Sequence, residues 1–249
     1  MTVMRSMFRS VLVAMLAVLA LSAVVASAAQ AAEGPFFKVA GARLKEGESK
    51  ELTGKLSSHE VVISFPGSDI SCTTMDFAAG AKIAGSTGAN FGFGEGVLEL
   101  SKCVGEGPLT AGCEVTGFKS KPLKEELAFL SSERSGELGV DFTPVSTKPA
   151  SGDFGEIKLV GTCSIKSIKL EGSIVADVGK DEVGKEPAEA KGLLLKLPTV
   201  GIRKAWLEKS GSLTEVRPEL QWQTGEALAM SGEFSLELAS GAEWGVFTK

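Results

Sequence analysis

Between Gly155 and Ala176 the chain reads GEIKLVGTCSIKSIKLEGSIVA, and its apolar residues fall on every second position. Ile157, Leu159, Gly161, Cys163 and Ile165 alternate with Lys158, Val160, Thr162 and Ser164. After Lys166-Ser167 the pattern resumes one residue out of phase, as Ile168, Leu170, Gly172, Ile174 and Ala176. A period of two puts one set of side chains on one face of a sheet, whereas a helix needs spacings of three and four. The slip in phase predicts a β-bulge or a tight corner between two strands. A second ladder runs through Leu228, Met230, Gly232, Phe234, Leu236 and Leu238, with Ser231, Glu233, Ser235 and Glu237 opposite. Thr224-Gly225-Glu226 turns the chain between this ladder and Leu220-Gln221-Trp222.

The remaining segments fit the same class. Pro35–Leu44 and Glu51–Leu56 read as strands joined by the polar turn Lys45-Glu46-Gly47-Glu48. Val61–Phe65 is continuously apolar until Pro66-Gly67, which predicts burial on both faces. Asp69–Phe77, Val97–Cys103 and Cys113–Phe118 read as strands, while the glycine density of Ala78–Gly96 favours turns and bulges. A basic loop, Lys119–Lys124, precedes a hairpin of Leu127–Ser132 and Leu138–Phe142 around Glu133–Gly136. Leu193–Leu197, Ile202–Leu207 and Glu219–Thr224 complete the set, and Leu197–Gly201 reads as a turn. Many short strands with Gly and Pro turns and no long helical pattern predict an all-β fold, an antiparallel β-sandwich or a barrel-like sheet. Residues 32–249 are expected to form a single β-rich domain, and a subdomain break would fall in the polar loop 179–191.

The N-terminus adds a compartment. Arg5 and Arg9 precede an uncharged run from Ser10 to Ala26 that ends in Ala26-Ser27-Ala28 and Ala29-Gln30-Ala31. A charged start, an apolar stretch and small residues at the −3 and −1 sites predict a signal peptide over 1–31, with cleavage after Ala31 and Ala28 as the alternative. The competing reading, an uncleaved anchor helix, is disfavoured by the Ala and Ser that end the run. The protein is therefore expected to be secreted, extracellular or in the cell envelope, touching membrane only through the signal segment before cleavage. The whole chain carries a net charge of −5, which becomes −7 without Arg5 and Arg9. That balance argues against a nucleic-acid partner, which needs clustered cations.

Export changes how the cysteines are read. Cys72, Cys103, Cys113 and Cys163 are an even number in an oxidising compartment, which predicts two disulfides. The matching patterns Ala-Gly-Cys113-Glu-Val and Gly-Thr-Cys163-Ser-Ile suggest paired strands, favouring Cys72–Cys103 with Cys113–Cys163. The rival closes Cys103 on Cys113 around Gly105, Gly107, Pro108 and Gly112. Zinc is disfavoured, because no C-x-x-C pair occurs and the one histidine, His59, is remote in sequence.

The segments Gly34–Leu44, Ile70-Ser71-Cys72-Thr73, Gly112-Cys113-Glu114-Val115, Gly184–Glu189 and Trp244-Gly245-Val246-Phe247 carry a resemblance. They resemble an uncharacterised family of secreted, cysteine-containing all-β proteins that is multi-copy in certain high-GC soil bacteria. The resemblance runs along the mature chain and implies an exported β protein, with no catalytic or binding residues to carry over.

Chemistry is sparse. His59 lies in Ser57-Ser58-His59-Glu60, but no G-x-S-x-G elbow accompanies it. Asp177, Asp181, Glu182, Glu186 and Glu189 form an acidic string without calcium-loop order and with lysines interleaved, so a hydrated loop is the simpler reading. Lys119–Lys124 with Lys158, Lys166 and Lys169 could meet an acidic polymer, although lysines on strand faces also deter aggregation. Trp206, Trp222 and Trp244 could form a sugar-stacking patch, though Trp222 shares a phase with Leu220 and belongs with the core. No catalytic residue, metal or cofactor is expected. The favoured role is a non-catalytic extracellular structural or binding one, with an unidentified extracellular or cell-envelope partner. The alternatives are a cell-surface glycan- or polymer-binding module and a carboxylate-dependent hydrolase.

Overall fold

The computed structural model describes residues 34–85, 92–134, 137–145, 152–163, 165–179, 183–184, 193–198, 204–209 and 212–248. The expected signal segment, the loop 146–151, most of the loop 179–191 and the end of the Leu197–Gly201 turn lie outside them. Every regular element among the described residues is a β-strand.

A small hairpin comes first, β1 (Phe36–Val39) with β2 (Ala42–Arg43). The chain then makes eight passages, and the first is β3 (Ser49–Leu56) followed by β4 (Val61–Phe65). The second is β5 (Ser68–Phe77) and β6 (Lys82–Gly85), and the third is β7 (Gly92–Gly96) and β8 (Leu98–Glu106). The fourth is β9 (Cys113–Ser120) and β10 (Leu123–Phe129), and the fifth is β11 (Leu138–Pro144) and β12 (Asp153–Gly161). The sixth is β13 (Ser167–Gly172) and β14 (Ile174–Val178). The seventh starts as β15 (Leu193–Leu197), detours through β16 (Ala205–Lys209) and β17 (Ser212–Val216), and ends as β18 (Leu220–Trp222). The eighth is the unbroken β19 (Ala229–Leu238), after which β20 (Trp244–Phe247) pairs with β1.

Strand pairing turns these passages into two rings. In ring 1 the antiparallel order is β3-β6-β7-β10-β11-β14-β15-β19, and β19 returns to β3. In ring 2 the order is β4-β5-β8-β9-β12-β13-β18, with β19 pairing to β4. This ring also closes: Gln221 bridges Ala227, and the Leu228 amide donates to the Leu220 carbonyl at 2.8 Å. Each passage runs through both rings, so the molecule is an up-and-down barrel of eight passages, interrupted at a waist. Backbone bonds cross the waist too, among them Ala78 to Val97, Val145 to Pro122, Gly172 to Gly152 and Ser173 to Glu219.

An eight-stranded barrel is narrow enough for side chains to fill it. Here one continuous core runs through both rings, including Ile63, Ile70, Met75, Ile157 and Leu170 in ring 2 and Leu127, Leu138, Leu195 and Leu236 in ring 1. Phe77, Phe234 and Phe142 join the two halves, with ring centroids 6.2 and 6.3 Å apart in sequence of contact. Phe37 and Trp244 of the β1–β20 sheet pack edge to face at 5.7 Å, and Phe37 lies over Gly92 at the far end of ring 1. Outside ring 1 a second apolar cluster (Ala128, Val175, Ala205, Leu207) holds the β16–β17 hairpin down. Beside it the buried Glu208 accepts from Arg134 at 3.1 Å; burial pushes the Glu208 carboxyl up and the guanidinium pulls it back.

The structure bears out some expectations, the barrel and the corner at the phase slip among them, and corrects others. Sandwich or barrel resolves to a barrel. The phase slip is the connection between β12 and β13, and the out-of-phase ladder is two strands divided at Ser173, one in each ring. Pro35–Leu44 is broken at Ala40-Gly41, both with positive φ (48° and 79°). Ala78–Gly96 contains β6 and β7, two full members of ring 1. Val61–Phe65 alternates, with Val62 and Ser64 half-buried, because it has an inner and an outer face. The basic loop shrinks to a crossing at Lys121-Pro122.

Glu125 places a carboxylic acid in the otherwise mostly apolar interior. It stands on the inward face of β10 between Leu123 and Leu127, opposite Gly94 and Phe142. Its Oε2 would lie 2.7 Å from a Cβ on Gly94, so the carboxyl fills a slot that only glycine leaves. Oε1 is buried without a hydrogen-bond partner among the described residues, and burial pushes the carboxyl up to about 8. A folded-state value above the unfolded one means the folded protein holds a proton that the unfolded chain releases. This stability is complete below about pH 4.5 and is lost as pH rises through about 8. The loss is on the order of 5 kcal/mol. Urea unfolding of wild type is expected to weaken across this range, and Glu125→Gln to flatten the profile. Identical profiles for the two proteins would contradict the buried acid.

Candidate functional site

A groove of about 380 Å³ lies on the outer face of ring 2, crossing β5, β8, β9 and β12. Alternation along these strands places Asp76, Glu99, Lys119 and Glu156 side by side. Asp76 pairs with Glu99, Glu99 with Lys119, and Lys119 with Glu156. Lys119 forms an ion pair with Glu99, so the ammonium offsets the repulsion of the two opposed acids. One row further, Ser101 and Lys158 flank Gly117, where no side chain fills the face.

A β-bulge makes the depression. The β9–β12 register shifts between Lys158 and Leu159, leaving Thr116 without an opposite residue. Thr116 Oγ1 donates to the Lys158 carbonyl at 3.2 Å. Gly117 has φ of +140°, and a Cβ there would lie 2.6 Å from the Leu100 carbonyl oxygen. The floor, Leu100 and Phe118, is buried. The groove therefore presents carboxylates, ammonium groups and hydroxyls, and no aromatic platform. It suits hydrogen bonding to a polar, hydroxyl-bearing ligand.

The residues singled out by sequence are dispersed. His59 is exposed in the turn after β3, and the hydroxyl of Ser58 donates to the Glu60 carbonyl at 2.7 Å while accepting from the Glu233 amide. Trp244 is buried against Phe37, Trp222 is half-buried edge-on to Phe65, and Trp206 is half-buried on β16 opposite Phe129. The three indoles do not share a face for stacking sugars. Lys119, Lys121 and Lys124 each pair with an acid: Glu99, Asp153 and Glu126. Of the acidic string, Asp177 sits on β14 opposite Lys196, and Asp181, Glu182, Glu186 and Glu189 lie outside the described residues. The groove itself was missed. Its signal was the outward set of β5, β8, β9 and β12, but cross-strand register is invisible until the sheet is assembled.

The cysteines gather in ring 2. Cys72 and Cys103 are directly opposed on β5 and β8, with Cα atoms 4.0 Å apart, and form a disulfide. Cys113 at the start of β9 and Cys163 just beyond β12 are free thiols brought together by the pairing of Gly161 with Cys113; Cys113 Sγ donates to the Leu109 and Ala111 carbonyls at 3.9 Å and Cys163 Sγ to the Val160 carbonyl at 3.8 Å. Burial, then hydrogen bonding to Cys163 and the charge on Cys163, push the Cys113 thiol up, while the Lys166 ammonium opposes them. No group of three or more His, Cys, Asp or Glu among the described residues could hold a metal ion.

Comparison with protein-family models, curated proteins and solved structures gives no match, so the functional reading rests on geometry. Gly117→Ala is expected to destabilise the protein by about 1–3 kcal/mol, since both the conformation and the contact with Leu100 are strained. Thermal melting checks this, and an unchanged Tm would contradict the bulge.

Proposed function

We propose that this chain is an exported, disulfide-bonded β-barrel protein with a non-catalytic structural or binding role outside the cytoplasm. The observation that carries the reading is the Cys72–Cys103 bridge between two inner strands of ring 2. A bridge of this kind persists in oxidising compartments and is rare where thiols are kept reduced. It agrees with the signal-peptide pattern of residues 1–31. The partner in this reading is a component of the cell envelope or its surroundings.

A second reading, a module for a surface glycan or other polar polymer, is favoured by the groove at Glu99, Thr116, Lys119, Glu156 and Lys158. In this form the binding is by hydrogen bonds and charge, without tryptophan stacking.

Cell fractionation with N-terminal sequencing tests the first reading. The expected result is an extracytoplasmic protein starting at Ala32, with a Cys72–Cys103 peptide under non-reducing conditions. An uncleaved cytoplasmic chain with four reduced thiols would refute it. Replacing both cysteines by serine is expected to lower stability by about 3–4 kcal/mol in the chain-entropy account, measured by denaturant unfolding.

A further inference from the structure

Two strand ends are drawn together where ring 2 is farthest from the waist. Gly161 pairs with Cys113, and both the Thr162 amide and the Thr162 hydroxyl donate to the Gly112 carbonyl at 3.1 Å. These bonds hold the segment carrying Cys163 against the start of β9. Lys166 Nζ donates to the Gly161 carbonyl at 3.1 Å. Cys163 is buried and Cys113 half-buried, so an external reagent meets Cys113 first. With no third ligand beside them among the described residues, a metal ion would be left under-coordinated.

We propose that Cys113 and Cys163 form a redox site, a dithiol that closes into a second disulfide by exchange with a low-molecular-weight disulfide. The inference stands on the thiol pair alone and does not depend on the extracellular role. Cys113 Sγ gives up its proton, attacks one sulfur of the external disulfide and expels one thiolate. Cys163 Sγ, deprotonated in turn, attacks the Cys113 sulfur of the mixed disulfide and expels the second thiolate. The protein loses two protons and two electrons, and the external disulfide becomes two thiols that take up those protons. Attack requires the thiolate, and the Cys113 thiol is held up. Closure is therefore slow at neutral pH and accelerates about tenfold per pH unit below the thiol's titration. The bridge would tie the segment after β12 to the start of β9, at the end of the ladder that pairs Gly161 with Cys113.

Wild-type protein, purified without reductant, is equilibrated in mixtures of oxidised and reduced glutathione, alkylated and weighed intact. The expected result is two alkylations at the reducing end, none at the oxidising end, and one cooperative step between them. Peptide mapping then gives a Cys113–Cys163 peptide, with Cys72–Cys103 retained throughout. Cys163→Ser and Cys163→Ala are each expected to trap a glutathione adduct on Cys113. Two thiols still alkylated at the oxidising end, or a Cys103–Cys113 peptide in place of the expected one, would overturn the proposal. Both outcomes are read on the wild-type protein and so do not depend on how the variants fold.

Discussion

Closure of the backbone ladder is the constraint from which the rest of this structure follows. A sheet edge leaves a row of unpaired amides and carbonyls, and a ring removes it. Here the same eight passages close twice, and β19 is the element that makes both closures possible. Its first residues, Ala229 to Ser231, pair with β4, and its later ones pair with β3 and β15. The other passages can break at the waist because this strand continues through it. Edges remain in the elements outside the rings, such as the exposed β17 and the two-residue β2.

The waist shows how an interrupted barrel avoids a gap. Phe77 lies against Gly54 and Gly96, whose missing side chains leave room for its ring, and reaches Phe234. Phe118 and Phe154 stack at 6.1 Å on the ring 2 side. Packing at this density leaves little room for a polar interior group, so Glu125 remains protonated at neutral pH. Polar chemistry is displaced to the outer surface. The groove follows from the same sheet: a bulge at Thr116 and a glycine at 117 make a dent in an otherwise regular row of charged side chains.

Much of the fold was legible in the sequence because period-two alternation is a local signal. The β12 ladder, the β19 ladder and the turn at Gly225 were all readable, and so was the Cys72–Cys103 pairing. The failures have a common cause. β6 and β7 are inner strands of a closed ring, yet Gly85, Gly92, Gly94 and Gly96 give them the composition of a loop. Those glycines are required by neighbours distant in sequence, such as Phe37 over Gly92 and Glu125 beside Gly94. The division of Ile168–Ala176 between two rings was hidden because both halves keep inward apolar residues in step across Ser173. Tryptophan exposure was equally unreadable, since Phe37, Phe65 and Phe129 come from other passages. The groove depends on register between four strands, which a linear pattern does not record.

Amide hydrogen exchange followed by mass spectrometry tests the doubly closed barrel most directly. The account predicts that Met230–Leu238 of β19 exchanges at the rate of global unfolding, while the β16–β17 hairpin opens earlier and independently. Exchange in β19 as fast as in β17 would contradict a strand shared by two closed rings.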